Sequence, residues 1–402
     1  MARRRPLKLT QRLSLVLLSE SRLERYCRIA GECTLLSANL GVMSRLFDSK
    51  ILAIAIACSL SWLSGWPVKS ASTADSAWEK LNAEGKQALR AGRYQHAEEK
   101  LKAAMQQLQK MPAVDIRRAE TLNNLADTYT KEAKYELAEP LYKQALEMAE
   151  KANGPNHSNV ASCLNNMASF YFTQNRFPES EALAVRALAI DEKALGTTSK
   201  GLITELSNLA DLYQAEGKND LAEAAFKRVV SIQEKNSPDS QNLASALAQL
   251  ASFYKTEKKL SEAEELEKRA LAILEKKHGG NETSVAACLT NLGNTYKAEK
   301  KFSEAEAAYK RSLAINEKAF GDKNVEVARS SRNLAKLYKL LGKYDVAEEY
   351  YKRSLAINEV NTDSNKDELI KDLQSYADLL RKVGRTEEAD QNDAKAEQLK
   401  KG

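Results

Sequence analysis

The sequence predicts an all-α repeat solenoid, on three observations. A 42-residue unit recurs as LNNLADTY from Leu122, LNNMASFY from Leu164, LSNLADLY from Leu206, LAQLASFY from Leu247, LTNLGNTY from Leu289 and SRNLAKLY from Ser331. Apolar residues within each copy have helical spacing. Only 16 Gly and 7 Pro stand among 402 residues rich in Ala, Leu, Glu and Lys, a composition of helix formers. A fixed period of this length marks one supersecondary unit that cannot bury its own apolar face and stacks on copies of itself. A β class is excluded.

In the unit from Leu122 to Cys163, Leu122, Leu125, Ala126 and Tyr129 share one face of a short first helix. Lys134-Tyr135 marks the corner, which elsewhere reads Gly217-Lys218, Gly342-Lys343 and Gly384-Arg385; glycine suits the left-handed residue that ends a helix. Leu137, Leu141, Leu146 and Met148 then belong to a second helix. Pro140 and Pro178 are expected in its first turn, where a missing N–H costs no helical bond.

Small residues recur at two places. Ala126, Ala168, Ala210, Ala251, Gly293 and Ala335 lie in the first helix, and Ala138, Ser180, Ala222, Ala263, Ala305 and Ala347 in the second. Close helix crossings explain both columns, because a larger side chain would overpack them.

These positions, with Tyr135 and Ala145, resemble the tetratricopeptide repeat, and the LNNLA openings, AEPLYKQAL and GPNHSNVA resemble its kinesin-light-chain type. The resemblance covers residues 78–402. It implies a right-handed superhelical solenoid of about seven helix pairs, with starts near residues 78, 120, 162, 204, 245, 287, 329 and 371, and a concave groove lined by first helices. Kinesin binding is not implied, since coiled-coil heptads are missing. The first unit, with Glu84, Gly85 and Ala88 at apolar positions, and the polar last unit, ending DQNDAKAEQLKKG, have the character of capping repeats.

The resemblance also carries groove residues over by position. The opening Asn maps to Asn124, Asn166, Asn208, Asn291 and Asn333, with Gln249 and Ser375 departing. An amide both donates and accepts, which suits holding a peptide backbone; bonding to a neighbouring helix is the alternative. The position after the core Tyr reads Thr130, Phe172, Gln214, Lys255, Lys297, Lys339 and Arg381, and Arg329, Arg332, Lys336 and Lys371 fall nearby. Glu120, Asp127 and Asp211 occupy the amino-terminal half. A groove so polarised would attract and orient an acidic peptide or protein segment, whereas ordinary solvated helix faces are the plainer reading. A carboxylate clamp is matched only in part, by Arg329/Asn333 and Lys371/Ser375.

Formal net charge is +6, but residues 1–74 hold 11 Lys/Arg against 4 Asp/Glu, leaving 50 against 51 in the repeats. A neutral body argues against nucleic acid as the partner. Cys163 and Cys288 stand three repeats apart, roughly 20 Å or more from helix diameters, too far for a disulfide, which needs about 7 Å; small buried residues are expected there. His96, His157 and His278 fall in different repeats, and no HExxH, paired CxxC, phosphate-loop or GxSxG pattern occurs. The chain is therefore read as a non-enzyme with no cofactor or metal. A non-catalytic subunit of an enzyme complex is a further alternative.

Residues 51–66 (ILAIAIACSLSWLSGW) are uncharged, follow Arg45 and Lys50, and precede the small, polar SASTA at 70–74. That layout is a signal peptide over residues 43–74, with cleavage after Ala74, Ser70 or Ser72. Residues 1–42 are then a basic upstream segment, outside the native product if Met43 is the start. A lipid-modified Cys58 and an uncleaved anchor, short against a span of ~20 residues, are the alternatives. In each case the positive flank places the repeats outside the cytoplasm, and membrane contact is confined to this segment.

Overall fold

The computed structural model describes residues 73–110, 112, 114–280 and 282–401. The expectations for residues 1–42 and 43–74 lie outside these, apart from Thr73 and Ala74, which open the first helix.

Sixteen α-helices and no strand are found among the described residues. They form eight pairs: α1 (Thr73–Arg90) with α2 (Tyr94–Gln107), α3 (Ile116–Lys131) with α4 (Tyr135–Asn153), α5 (Ser158–Thr173) with α6 (Phe177–Leu195), and α7 (Ile203–Ala215) with α8 (Asn219–Asn236). The series continues with α9 (Gln241–Thr256) and α10 (Leu260–His278), α11 (Thr283–Ala298) and α12 (Phe302–Phe320), α13 (Val325–Leu340) and α14 (Tyr344–Val360), and α15 (Thr362–Lys382) and α16 (Thr386–Lys401). Each of the eight expected start positions lies in a first helix. The count of about seven is thus corrected to eight, because both atypical end units fold as full pairs. From α2 onward each helix packs on the next along the chain, most extensively within a pair, and α1 meets α2 through the Lys100–Glu84 ion pair at 2.6 Å, so the core runs along the array rather than forming one central cluster.

Both small-residue columns are buried. Ala126, Ala210, Ala251 and Ala335 have no exposed surface, nor do Ala138, Ala222, Ala263, Ala305 and Ala347. At Gly293 an added Cβ would stand 2.6 Å from Tyr309 Cε1 and at Gly85 2.7 Å from Leu101 Cγ, closer than carbon atoms approach, so the first and sixth pairs close on glycine where the others close on alanine.

The corners are left-handed, as the glycines indicate: φ is 72° at Gly217, 74° at Gly342 and 83° at Gly384. The same conformation is imposed on Ala133, Asn175, Lys258 and Lys300, although a Cβ there is strained. Tertiary packing overrides local preference at these four. Pro178 is in the first turn of α6, but Pro140 is the sixth residue of α4; its placement in the first turn is corrected, and it removes an N–H that the Glu136 carbonyl would otherwise accept. His157 Nδ1 accepts from Asn159 N at 3.1 Å and caps α5. Cys163 and Cys288 are buried and unbridged, with burial pushing their thiols up to about 11 and about 12.

Successive pairs are joined by a recurrent polar junction. A second-helix glutamate accepts the core-tyrosine hydroxyl of the following repeat: Tyr129 to Glu98, Tyr171 to Glu139, Tyr254 to Glu223 and Tyr338 to Glu306, at 2.8–3.1 Å. The basic residue at the corner lies over that tyrosine ring, from 4.2 Å for Arg176 over Tyr171 to 5.7 Å for Lys343 over Tyr338. Lys259 also bonds Glu223 at 2.9 Å. One carboxylate thus ties ring, cation and helix together.

Two predictions follow from this packing. Ala251→Leu and Ala305→Leu should each cost about 1–3 kcal/mol by overpacking, read as a lower thermal midpoint. At the junction, hydrogen bonds from Lys227, Lys259 and Tyr254 hold the Glu223 pKa down to about 2 from 4.5. Because the folded value is depressed, the stabilisation is complete above about pH 4.5 and is lost as pH falls toward 2; the pH dependence of the denaturation midpoint should therefore flatten over that window in Glu223→Gln.

Candidate functional site

The exposed stripe of each first helix stands beside that of the next, and clefts open between them. All five sequence-predicted asparagines line these clefts. Asn124 and Asn166 face one, Asn208 lies between two, and Asn291 and Asn333 share another with Arg329, Thr290 and Phe320. Asn124 Nδ2 donates to Asn82 Oδ1 at 3.1 Å. The side-chain amides of Asn166, Asn208, Asn291 and Asn333 have no hydrogen bond within the protein among the described residues, which disfavours a purely structural role for them.

The basic column behaves differently from expectation. In five of the seven copies the residue after the core tyrosine lies against the residue twelve positions on, in the second helix of its own pair, whereas Gln214 donates to Thr256 at 3.3 Å. Thr130 meets Tyr142 at 3.3 Å, and Lys255 donates to the buried Glu267 at 2.7 Å. Lys297 lies 6.0 Å from the Tyr309 ring centre and Lys339 5.9 Å from that of Tyr351, and Arg381 pairs with Asp390 and Asp393. Lys255 and Arg381 are therefore internally neutralised and are removed from the expected free-cation set. The signal was present in the sequence, since Glu267 and Asp393 occupy the column that elsewhere reads Tyr142, Phe226, Tyr309 and Tyr351.

Arg332 is a further correction. Its side chain is only 8% exposed, its guanidinium bonds Glu368 and stands 2.9 Å from the fully buried Asp372. Asp372 also accepts from Ser354 and from Asn358 Nδ2. Desolvation raises the Asp372 pKa while Arg332, Ser354 and Asn358 act against that rise. This cluster locks the seventh pair to the eighth. Arg329 pairs with Glu326 at the exposed surface, and Lys371 with Glu368.

What remains is a compact set of cations on α11 and α13. Lys297 and Lys336 have no ion pair among the described residues, and Lys339 only reaches Asp378 at 3.9 Å. Desolvation lowers the pKa of all three; at Lys336 the charges of Arg332, Lys297 and Lys339 lower it further. Desolvation at all three, and like charge at Lys336, both work against the charged ammonium form.

A family model described as tetratricopeptide repeat matches residues 117–193, 202–276 and 278–359. No curated protein matches the sequence. Among solved structures, the apo form of RapI is 13% identical, covers 81% of this chain and 99% of its own, and superposes with a TM-score of 0.56, a likeness of fold alone. Nearly identical TPR-like repeats attributed to a kinesin light chain of Podosopora anserina are 24% identical over 51% of this chain and 98% of theirs, at a TM-score of 0.47. BtubC from P. vanneervenii is 22% identical over 61% and 91%, at 0.45.

Removing Arg332 should expose the cost of its buried partner. Arg332→Met leaves Asp372 uncompensated and should destabilise the last two pairs by about 3–5 kcal/mol, seen as faster amide hydrogen exchange in α13–α16, with much of the protection restored in Arg332→Met/Asp372→Asn.

Proposed function

Because the chain belongs to the tetratricopeptide repeat family, we propose that it is a non-catalytic interaction scaffold that holds an extended peptide or protein segment across its first helices. The observation that carries this reading is the row of amides at Asn166, Asn208, Asn291 and Asn333, each beside a cleft and each without an internal partner. One amide per repeat bonds the backbone of a strand-like segment without demanding particular side chains. Lys297, Lys336 and Lys339 add a charge preference, drawing acidic residues to the sixth and seventh repeats; Arg329 extends that rim.

The uncharged segment 51–66 supports export as the setting, with the repeats outside the cytoplasm. Amino-terminal sequencing should find a mature protein beginning near residue 75. An intact product released only by detergent would favour the second reading, an assembly platform held at the membrane by that segment.

Fluorescence anisotropy of the full chain with labelled Glu-rich and Gln-rich peptides of equal length tests the binding surface. The Glu-rich peptide should bind more tightly, and Lys297→Glu/Lys336→Glu should weaken it at least tenfold while leaving the Gln-rich peptide unchanged. Lysines with lowered pKa values lose their charge earlier than ordinary lysines, so affinity for the Glu-rich peptide should fall as pH rises toward 10.5, the ordinary lysine value. Equal binding of both peptides by wild type and variant would remove the basic seat.

A further inference from the structure

The column twelve residues after the groove position carries Tyr142, Phe226, Glu267, Tyr309, Tyr351 and, in the last pair, Asp393, but the third repeat has Ala184. The missing side chain leaves a cleft of about 210 Å³ between the third and fourth repeats, walled by Ala168, Phe172, Ala184 and Leu212, with Asn165, Ser169, Ser180, Asn208 and Asp211 as its polar residues; the Ser180 hydroxyl already donates to the Ala168 carbonyl. Small-molecule sites occupy roughly 300–1,000 Å³, so this cleft matches one large side chain rather than a cofactor.

Asp211 is the second observation. At the equivalent position, Asp127 accepts the Tyr142 hydroxyl and Asn294 Oδ1 accepts that of Tyr309 at 2.7 Å. The fourth repeat carries Phe226 instead, which has no hydroxyl to offer. Asp211 consequently has no hydrogen bond or ion pair among the described residues, and desolvation raises its pKa without any nearby cation to oppose the rise. An exposed carboxylate without a protein partner thus borders a cleft whose apolar wall is Ala168, Phe172, Ala184 and Leu212.

We propose that this cleft receives one arginine side chain of the bound segment, its methylenes against Ala168, Ala184 and Leu212 and its guanidinium on Asp211. The inference rests on the reading of the first helices as a peptide-binding surface and adds a specificity determinant to it. Arginine fits the three parts of the site together. Its stem is apolar, its planar head forms paired hydrogen bonds with a carboxylate, and that head is attracted to the face of a ring such as Phe172. A purely aliphatic side chain would desolvate Asp211 and leave it without a partner. With Lys297, Lys336 and Lys339 three repeats away, the preferred segment carries a basic residue toward the amino-terminal half of the array and acidic residues toward the carboxy-terminal half.

Single capped amino acids test the cleft apart from peptide binding as a whole. The full chain, with labelled Leu212 and Ala184 methyl groups, is titrated with N-acetyl-arginine N-methylamide, its neutral citrulline isostere and the norleucine analogue. The arginine probe should give saturable methyl shifts with at least tenfold tighter affinity than citrulline. Asp211→Asn should remove that advantage, and Ala184→Phe, which installs the residue type the fourth repeat carries there, should abolish the Leu212 shift. Equal affinities for the three probes, tighter binding of norleucine, no saturable shift with any, or arginine binding undiminished in Asp211→Asn would each overturn the proposal. The test with Glu-rich peptides reads different residues, so either reading can fail alone.

Discussion

Each helix pair closes at a crossing where only Ala, Ser or Gly fits, and the rest of the structure depends on that closeness. The paired columns led by Ala126 and Ala138 are buried along the array, and at Gly293 even a methyl group would collide with Tyr309. Tight crossings make every pair nearly the same object. Identical pairs stack with identical offsets, which sets the first helices side by side and brings their exposed stripes into register. The clefts and the amide row are consequences of that register.

Stacking alone would leave the junctions to apolar contact. The glutamate that accepts a tyrosine hydroxyl from the next repeat adds direction and spacing to the junctions that carry it, those at Tyr129, Tyr171, Tyr254, Tyr338 and Tyr376. This polar tie replaces a central core, and it suits a molecule in which every repeat touches only its neighbours. The seventh and eighth pairs keep this tie, Tyr376 donating to Glu348 at 2.9 Å with Arg385 on the same carboxylate, and add the buried Arg332–Asp372 cluster. A buried ion pair of this kind contributes little net stability over an apolar replacement but penalises loss of one partner severely.

The candidate surface was legible in part. The asparagine column was readable because the repeat fixes its phase on the helix, which puts all five on the cleft side, exposed at Asn208 and Asn291 and half-buried at Asn124, Asn166 and Asn333. The basic column was misread because charge in a sequence carries no information about its partner. Lys255 and Arg381 share a column with Lys297, yet Glu267 and Asp393 pair with the first two, while Tyr309 offers Lys297 no counter-charge and Lys339 meets only Asp378, at 3.9 Å. The cleft at Ala184 escaped notice for the same reason: an alanine in a helix looks ordinary until the aromatic residues at its equivalents are seen to fill the space it vacates.

By itself, the sequence determined the helical class, the repeat phase, the small-residue crossings and the face that each first helix turns outward, because all of these follow from local periodicity and side-chain size. It fell one short on the number of pairs, since weakly patterned end units still fold against a patterned neighbour. Only the tertiary structure decided which cations are free, which asparagines lack partners, and where a missing side chain opens a cleft. Those properties depend on residues brought together from different helices, and no spacing along a single strand of text encodes the distance between them.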